Sequence, residues 1–425
     1  MNLEYDSDEL GEESDDRSAP ESVVDEETVE VKRVRMAKDI LSKLQVDEDE
    51  ENDGPLDAVS RTLHKNLLES EGRLQASMAS RLHVEVKPLR YRGHRLSTTC
   101  VALSEAEDMC FTGSKDCSIV RWDVETGERM ARYTGHPASN NIPASSIDGH
   151  FDEVLAIALS SDGRYLASAG RDRLINIWDA RTDKFVDSFS GHQDTVSGLT
   201  FQHGKHVLYS CSHDRSVRAW NIDEMAYVES LFGHTSEINA IDCLHHERAV
   251  TCSMDRTVRY WKIPEESQLL MQGYHSGSID CIKMVDETHF VSGSQDGRIA
   301  LWHTAKKKPC SVVKNAHSGC WISSVAALKN TDLIASGASD GYVKFWQVNF
   351  NKRELVGEMA GCIEVPGVVN GLAFGSSGQV LVAANGQEHR LGRWGKHKDG
   401  KNGIVITRLN FDTDKESCTE ISDSP

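Results

Sequence analysis

The stretch GHQDTVSGLTFQHGKHVLYSCSHDRSVRAW, residues 191–220, sets His192, Ser210, Asp214 and Trp220 at spacings that recur along the chain. Ten residues before Trp122, Trp178, Trp220, Trp261, Trp302 and Trp346 stand Thr112, Ser168, Ser210, Thr251, Ser292 and Ser336. Six residues before the same tryptophans stand Asp116, Asp172, Asp214, Asp255, Asp296 and Asp340. A histidine precedes each by 27 to 29 residues: His94, His150, His192, His234, His275 and His317. Four residue types held at nearly fixed offsets six times over mark an internal structural repeat.

Between the histidine and the tryptophan lie three strand-length apolar runs, such as 196–201, 207–209 and 217–220, separated by polar or Gly-containing turns. A fourth run, 227–232, follows before the next Gly-His. Four short antiparallel strands per unit, stacked radially so that each sheet buries both faces, make a β-propeller blade, and the pattern resembles the WD40 repeat. The fold expected is all-β: a seven-bladed WD40 propeller over residues 81–411. The aspartate is placed to hold the histidine, while the hydroxyl and the tryptophan N–H complete a buried chain of hydrogen bonds. Ser, His and Asp together also suggest a hydrolase triad. A nucleophile is needed once, however, whereas this set recurs in every regular blade with Ser and Thr exchanging. The six sets, His192, Ser210, Asp214 and Trp220 among them, read as scaffold, and no enzyme is expected.

The net charge of −19 is unevenly spread. Residues 1–60 hold 21 Asp and Glu against 6 Lys and Arg, a net of −15, which leaves −19 + 15 = −4 for the rest. Residues 1–58 are therefore expected to be an acidic, largely disordered region. Within it, Ser7 and Ser14 precede acidic residues as in acidophilic-kinase sites, and Lys32, Arg33 and Arg35 form a weak basic cluster. Val59, Leu63, Leu67, Leu74 and Met78 share one stripe at helical spacing, which predicts an amphipathic helix over 59–80. It either packs on the propeller or docks into a partner. Residues 82–86 then offer an extra outer strand, and residues 412–425 form a disordered tail. The eleven cysteines contain no Cys-x-x-Cys pair or zinc spacing, which points to free thiols in cytosol or nucleus, with no metal or other cofactor. No apolar run is long enough to span a bilayer, so no membrane is expected among the partners, and with no unique nucleophile, metal set or phosphate loop outside the repeats no small-molecule substrate is expected either.

Two departures from the repeat stand out. An insertion at 137–148, rich in Ser, Asn and Pro, spaces Trp122 and Trp178 by 56 residues where the next intervals are 42, 41 and 41. The seventh copy, read as strands 365–374, 379–384, 389–394 and 403–409, has Trp394 in the tryptophan position, but Ala384 and Glu388 in place of the hydroxyl and the aspartate. From 387 to 408 there are six Lys or Arg against two acids, a net of +4. A basic cluster on glycine-rich turns suits phosphate contacts. His389, Arg390, Arg393, Lys396, Lys398 and Lys401 are the candidate RNA-binding residues. Lys115, Arg171 and Arg173, in turns beside the network aspartates, form a second candidate surface.

Gly386-Gln-Glu-His-Arg-Leu-Gly-Arg-Trp394 is similar to the last-blade motif of the WD40 proteins of the U3 small nucleolar ribonucleoprotein. So are Lys262-Ile-Pro-Glu-Glu-Ser-Gln-Leu269, Gly277-Ser-Ile-Asp-Cys-Ile282, Trp321-Ile-Ser-Ser-Val-Ala-Ala-Leu328 with Asn330-Thr-Asp-Leu333, Ser212-His-Asp-Arg-Ser-Val217 and Lys115-Asp-Cys-Ser-Ile119. The resemblance spans the propeller in order. It implies a nucleolar, non-catalytic subunit that binds the U3 small nucleolar RNA at its box B/C region beside a kink-turn-binding protein. Such a subunit acts within the small-subunit processome in 18S rRNA maturation. A competing reading is a substrate receptor of a cullin ubiquitin ligase, from Trp178-Asp179-Ala180-Arg181, or a generic protein-interaction propeller. Neither explains a basic seventh blade.

Overall fold

The computed structural model describes residues 74–83, 88–135, 149–357, 361–398, 400–411 and 418–420. The acidic region, the 137–148 insertion, the Ser7, Ser14 and Lys32–Arg35 features and nearly all of the tail lie outside them. Six of the propeller sheets have four strands and one has five, all antiparallel, and six of the seven are built from strands consecutive in the chain. Blade one is Thr98–Leu103, Met109–Ser114, Ile119–Asp123 and Arg129–Tyr133. The next five blades repeat it, starting at Val154, Val196, Ile238, Ile279 and Ile322. The first two strands of a blade are buried nearly throughout, as in Val196–Phe201 and Leu333–Ala338, while the fourth faces solvent on one side. Pairs of blades therefore share apolar layers, such as that of Ile177, Phe189, Leu199, Leu208 and Trp220.

The seventh blade is assembled from both ends of the chain. Val368–Phe374, Val380–Gly386 and Gly403–Arg408 supply three strands, and Leu89–Tyr91 supplies the outermost. Leu89 pairs with Ile406 and Tyr91 with Ile404, which closes the ring. This corrects the expected strand content: 389–394 is no strand, and 403–408 is the third strand rather than the fourth. Ala384 faces Gly371, and Ala383 faces Val405, so Ala383 is the residue at the place of the repeated hydroxyl and Thr407 stands where the tryptophan stood. The strand at Leu82–His83 pairs outside the blade, with Asn410–Phe411.

The helix expected over 59–80 is not present in its described part. Leu74–Ala76 is a strand paired with Cys418–Glu420, and Ala79–Arg81 is a single 3-10 turn. Long-range partners override the helical spacing here. The Asp332 carboxylate accepts the backbone N–H of Met78 at 2.6 Å and of Ala79 at 2.9 Å, and Met78 packs on the core of blades six and seven.

All seven innermost strands carry a register shift near their start, as between Thr98 and Cys100, or between Ile238 and Ala240. A bulge leaves one residue outside the ladder and re-aims it. The bulged residues stitch one blade to the next. Thr99 Oγ1 donates to the Val154 carbonyl at 2.5 Å, Asn239 Nδ2 to the Ile279 carbonyl at 2.9 Å, and Asn370 Nδ2 to the Thr98 carbonyl at 2.8 Å. Ser197 and Ser323 donate likewise to Ile238 and Val369, and Asp280 accepts the Trp321 indole N–H. In blade two the bulged residue is Leu155, which has no group to donate. At their other ends the inner strands line a cavity of about 380 Å³.

Candidate nucleic-acid interface

In the six regular blades the repeated residues meet as their spacing predicts. In blade three, Asp214 accepts from His192 Nδ1 at 2.8 Å, Ser210 Oγ lies 2.8 Å from His192 Nε2, and the Trp220 indole donates to Ser210 Oγ at 2.9 Å. Burial alone pushes the Asp214 carboxyl up, but the bonds from His192 and Ser216 hold it well below the usual range. Two blades loosen the chain at the aspartate. His94 Nδ1 turns to Ser118 Oγ at 3.2 Å with Asp116 at 3.5 Å, and His275 Nδ1 stands 3.7 Å from Asp296. In every such set the histidine, hydroxyl and tryptophan are buried inside a blade, which suits a structural lock. Trp178 belongs to one of them, and the Arg181 guanidinium donates to the Asp162 carbonyl, so the fold accounts for both ends of the Trp-Asp-x-Arg stretch.

The seventh blade replaces the short turn between its second and third strands with a loop, 387–402. The loop is pinned at its base: Gln387 N–H donates to Asn402 Oδ1 at 3.0 Å, and Gln387 Nε2 to the Gly400 carbonyl at 2.9 Å. It is also pinned to the bulge ring. Asn370 donates to the Glu388 carbonyl at 2.9 Å and accepts the Arg390 N–H at 2.9 Å, while Ser97 Oγ of blade one accepts the Glu388 N–H. Gly367 makes room beneath. It holds φ +123°, and a Cβ there would meet the Gly386 carbonyl at 2.6 Å.

Arg390 reaches across from blade seven to the bulges of blades four and five. Its guanidinium donates to the carbonyls of Asn239 at 3.0 Å and Asp280 at 2.7 Å, the bulged residues of blades four and five. These carbonyls are exposed to it because a bulged residue is left unpaired in the ladder. Arg390 is thus a half-buried anchor with two backbone acceptors, not a free phosphate contact.

His389 is likewise buried, 5% exposed, with its ring stacked on Trp321 at 3.9 Å. Burial, with the charges of Arg390 and Lys115, lowers its pKa to about 3, so it is neutral at physiological pH and brings no charge to an anion. Lys115 is buried too. Its ammonium donates to the Gly392 carbonyl at 3.3 Å and lies 3.8 Å from Glu388, and burial lowers its pKa against the pull of Glu153 and Glu388. It holds the underside of the loop. The contact roles expected of His389 and Lys115 are therefore corrected to supporting ones.

The outward side of the loop presents Arg393, Lys396, Lys398 and Lys401, all exposed. Arg393 lies 3.3 Å from Glu388, a surface pairing that leaves the guanidinium largely in water. Arg171 and Arg173 are also exposed, with Arg171 3.4 Å from Glu153. Trp394, unlike the six blade tryptophans at 1–4%, is 64% exposed. Sequence reading missed Trp321, Asn239, Asp280 and Asn370. Trp321 carries a signal, being one of two tryptophans outside the six repeat offsets; the other three sit at unremarkable strand starts.

The WD40 family model, described as WD domain, G-beta repeat, matches residues 86–123, 141–179, 183–221, 226–262, 267–303 and 308–347. The chain is 42% identical over 400 residues to human U3 small nucleolar RNA-interacting protein 2, covering 90% of this chain and 83% of that one. The chain belongs to this family of WD40 proteins. A U3 snoRNP-associated protein-like relative from Arabidopsis thaliana is 36% identical, covering 95% of this chain and 88% of its own. The solved structure of U3-55K superposes with a TM-score of 0.71 at 45% identity, covering 78% of this chain and all of the other. The family model stops at residue 347, so three of the seventh blade's four strands and loop 387–402 lie beyond what the general repeat describes.

Proposed function

We propose that the chain is a non-catalytic scaffold subunit of the U3 small nucleolar ribonucleoprotein. It binds U3 small nucleolar RNA with the outward side of loop 387–402, through Arg393, Lys396, Lys398 and Lys401. The observation that carries this reading is the loop itself: a basic segment, on an otherwise acidic chain, anchored rigidly across one face of a propeller. Lysine and arginine beside glycine turns make phosphate contacts that supply affinity without reading sequence. The names of the relatives, U3 small nucleolar RNA-interacting and U3 snoRNP-associated, agree with it. The family implies binding at box B/C beside a kink-turn-binding protein, in the nucleolus and within the small-subunit processome. Arg171 and Arg173 offer a further contact surface.

The test is crosslinking and sequencing of RNA bound to the tagged chain in cells, with Arg393, Lys396, Lys398 and Lys401 all changed to Ala in the variant. Enrichment of U3 RNA by the wild type and its loss in a folded variant is expected. Recovery of a ubiquitin-ligase adaptor with no small nucleolar RNA overturns the reading.

A further inference from the structure

We infer that Trp394 is a stacking platform for an unpaired base of the bound RNA, an inference that rests on the RNA-binding reading of the loop. Blade tryptophans are buried and hydrogen-bonded, whereas the Trp394 ring lies mostly in water, so its place is not set by the core. It is nevertheless held. The ring centroid lies 5.3 Å from that of Trp321 and 5.8 Å from that of His389, and those two rings are stacked on each other. Gly392 lies under the indole, where an added Cβ would meet three ring carbons at 2.9 Å. One side of the indole is thus backed by the loop and by two aromatic rings, while the other is open.

This arrangement suits a base rather than a duplex. An indole presented from a fixed loop loses little rotamer freedom on binding, and any base has a π-face to lay on it. A paired base inside an A-form helix offers no free face, so the occupant is a splayed nucleotide of a loop, bulge or single-stranded flank. The flanking charges match: Arg393 precedes the tryptophan, Lys396 and Lys398 follow it, and all three are exposed beside the backbone such a nucleotide must carry. The ring beneath is uncharged because burial keeps His389 neutral, and the ammonium of Lys115 under the loop already faces Glu388.

The experiment measures binding of U3 RNA to the full chain, with 2-aminopurine placed at one unpaired position at a time through a synthetic segment ligated into the RNA. Trp394→Ala is expected to weaken binding roughly 5- to 150-fold, as loss of one base–aromatic stack does. The salt dependence should stay unchanged, because no phosphate contact is lost. Trp394→Phe should recover most of the affinity, yet abolish the quenching of tryptophan fluorescence that RNA causes in the wild type. Gly392→Ala, which displaces the ring without removing it, should fall between. If Trp394→Ala binds as the wild type does while the fourfold charge variant does not, the stacking inference is wrong and the phosphate-binding reading stands. The tryptophan then belongs to a protein partner. If the wild type itself does not bind RNA, both fall.

Discussion

Arg390 offers the sharpest test of how the loop is held. Its guanidinium makes two charge-assisted bonds, at 3.0 and 2.7 Å, to the carbonyls of Asn239 and Asp280. Bonds to a charged group contribute about 1.5–3 kcal/mol each, so the gross loss on Arg390→Met is about 3–6 kcal/mol. Most of it is offset. The arginine no longer has to be desolvated. A net loss of about 2 kcal/mol remains, borne by loop docking rather than by the fold, since Asn239 and Asp280 stand outside the strand ladders of blades four and five and those ladders do not run through these two bonds. That corresponds to a roughly thirtyfold rise in hydrogen exchange for the amides of 388–398, with the melting temperature nearly unchanged. Unaltered exchange in the loop would refute the anchor role. Equal loosening of every blade would show instead that Arg390 supports the whole ring.

Further outcomes follow from the same contacts. Changing Arg393, Lys396, Lys398 and Lys401 to Ala removes up to four phosphate contacts, and should flatten the slope of log affinity against log salt by about 3 in a binding titration. A neutral buried histidine in place of a charged free one makes loop docking sensitive to acid. The His389 pKa is depressed to about 3 when docked, so its contribution is full above the ordinary value near 6.5 and is lost as pH falls below it. Between pH 7 and pH 5 docking should weaken by about 2 kcal/mol, read as loop exchange corrected for its intrinsic rate; His389→Gln should remove that dependence. Asp214 and Asp255 carry depressed pKa values. Their stabilisation persists above about pH 4 and is lost below it, so the melting temperature should fall steeply there. Asp214→Ala should cost about 2 kcal/mol at pH 7, in denaturant unfolding, because His192 and Ser216 lose a buried acceptor.

The regular blades were legible because each repeats one hydrogen-bonded set at offsets that short turns keep constant. Counting offsets failed where the turn lengthened. Trp394 falls at a plausible spacing after Trp346, yet a loop has taken its place and Thr407 occupies the strand position two residues beyond Val405. Nothing local to Leu89–Tyr91 announces that it completes a blade whose other strands begin at Val368. Leu74 and Met78 share a helical stripe, but the acceptor that fixes Met78 is Asp332, far along the chain. The basic cluster itself is visible in the sequence as a net charge of +4 over 387–408. What sequence could not supply was which members point outward, because the burial of His389 depends on Trp321 and that of Arg390 on bulges two and three blades away.

The closure of the ring by Leu89–Tyr91 also sets an order of events during synthesis. Six blades are made of consecutive strands and form from local contacts, which are quick to find. The seventh waits until residues 403–408 leave the ribosome to meet a strand made near the beginning. Loop 387–402 draws its support from Ser97 of the first blade, from Asn370 of the last, and from Asn239 and Asp280 between them. These four residues come together only in a sealed ring. A nascent or misassembled chain therefore lacks the surface proposed to meet RNA.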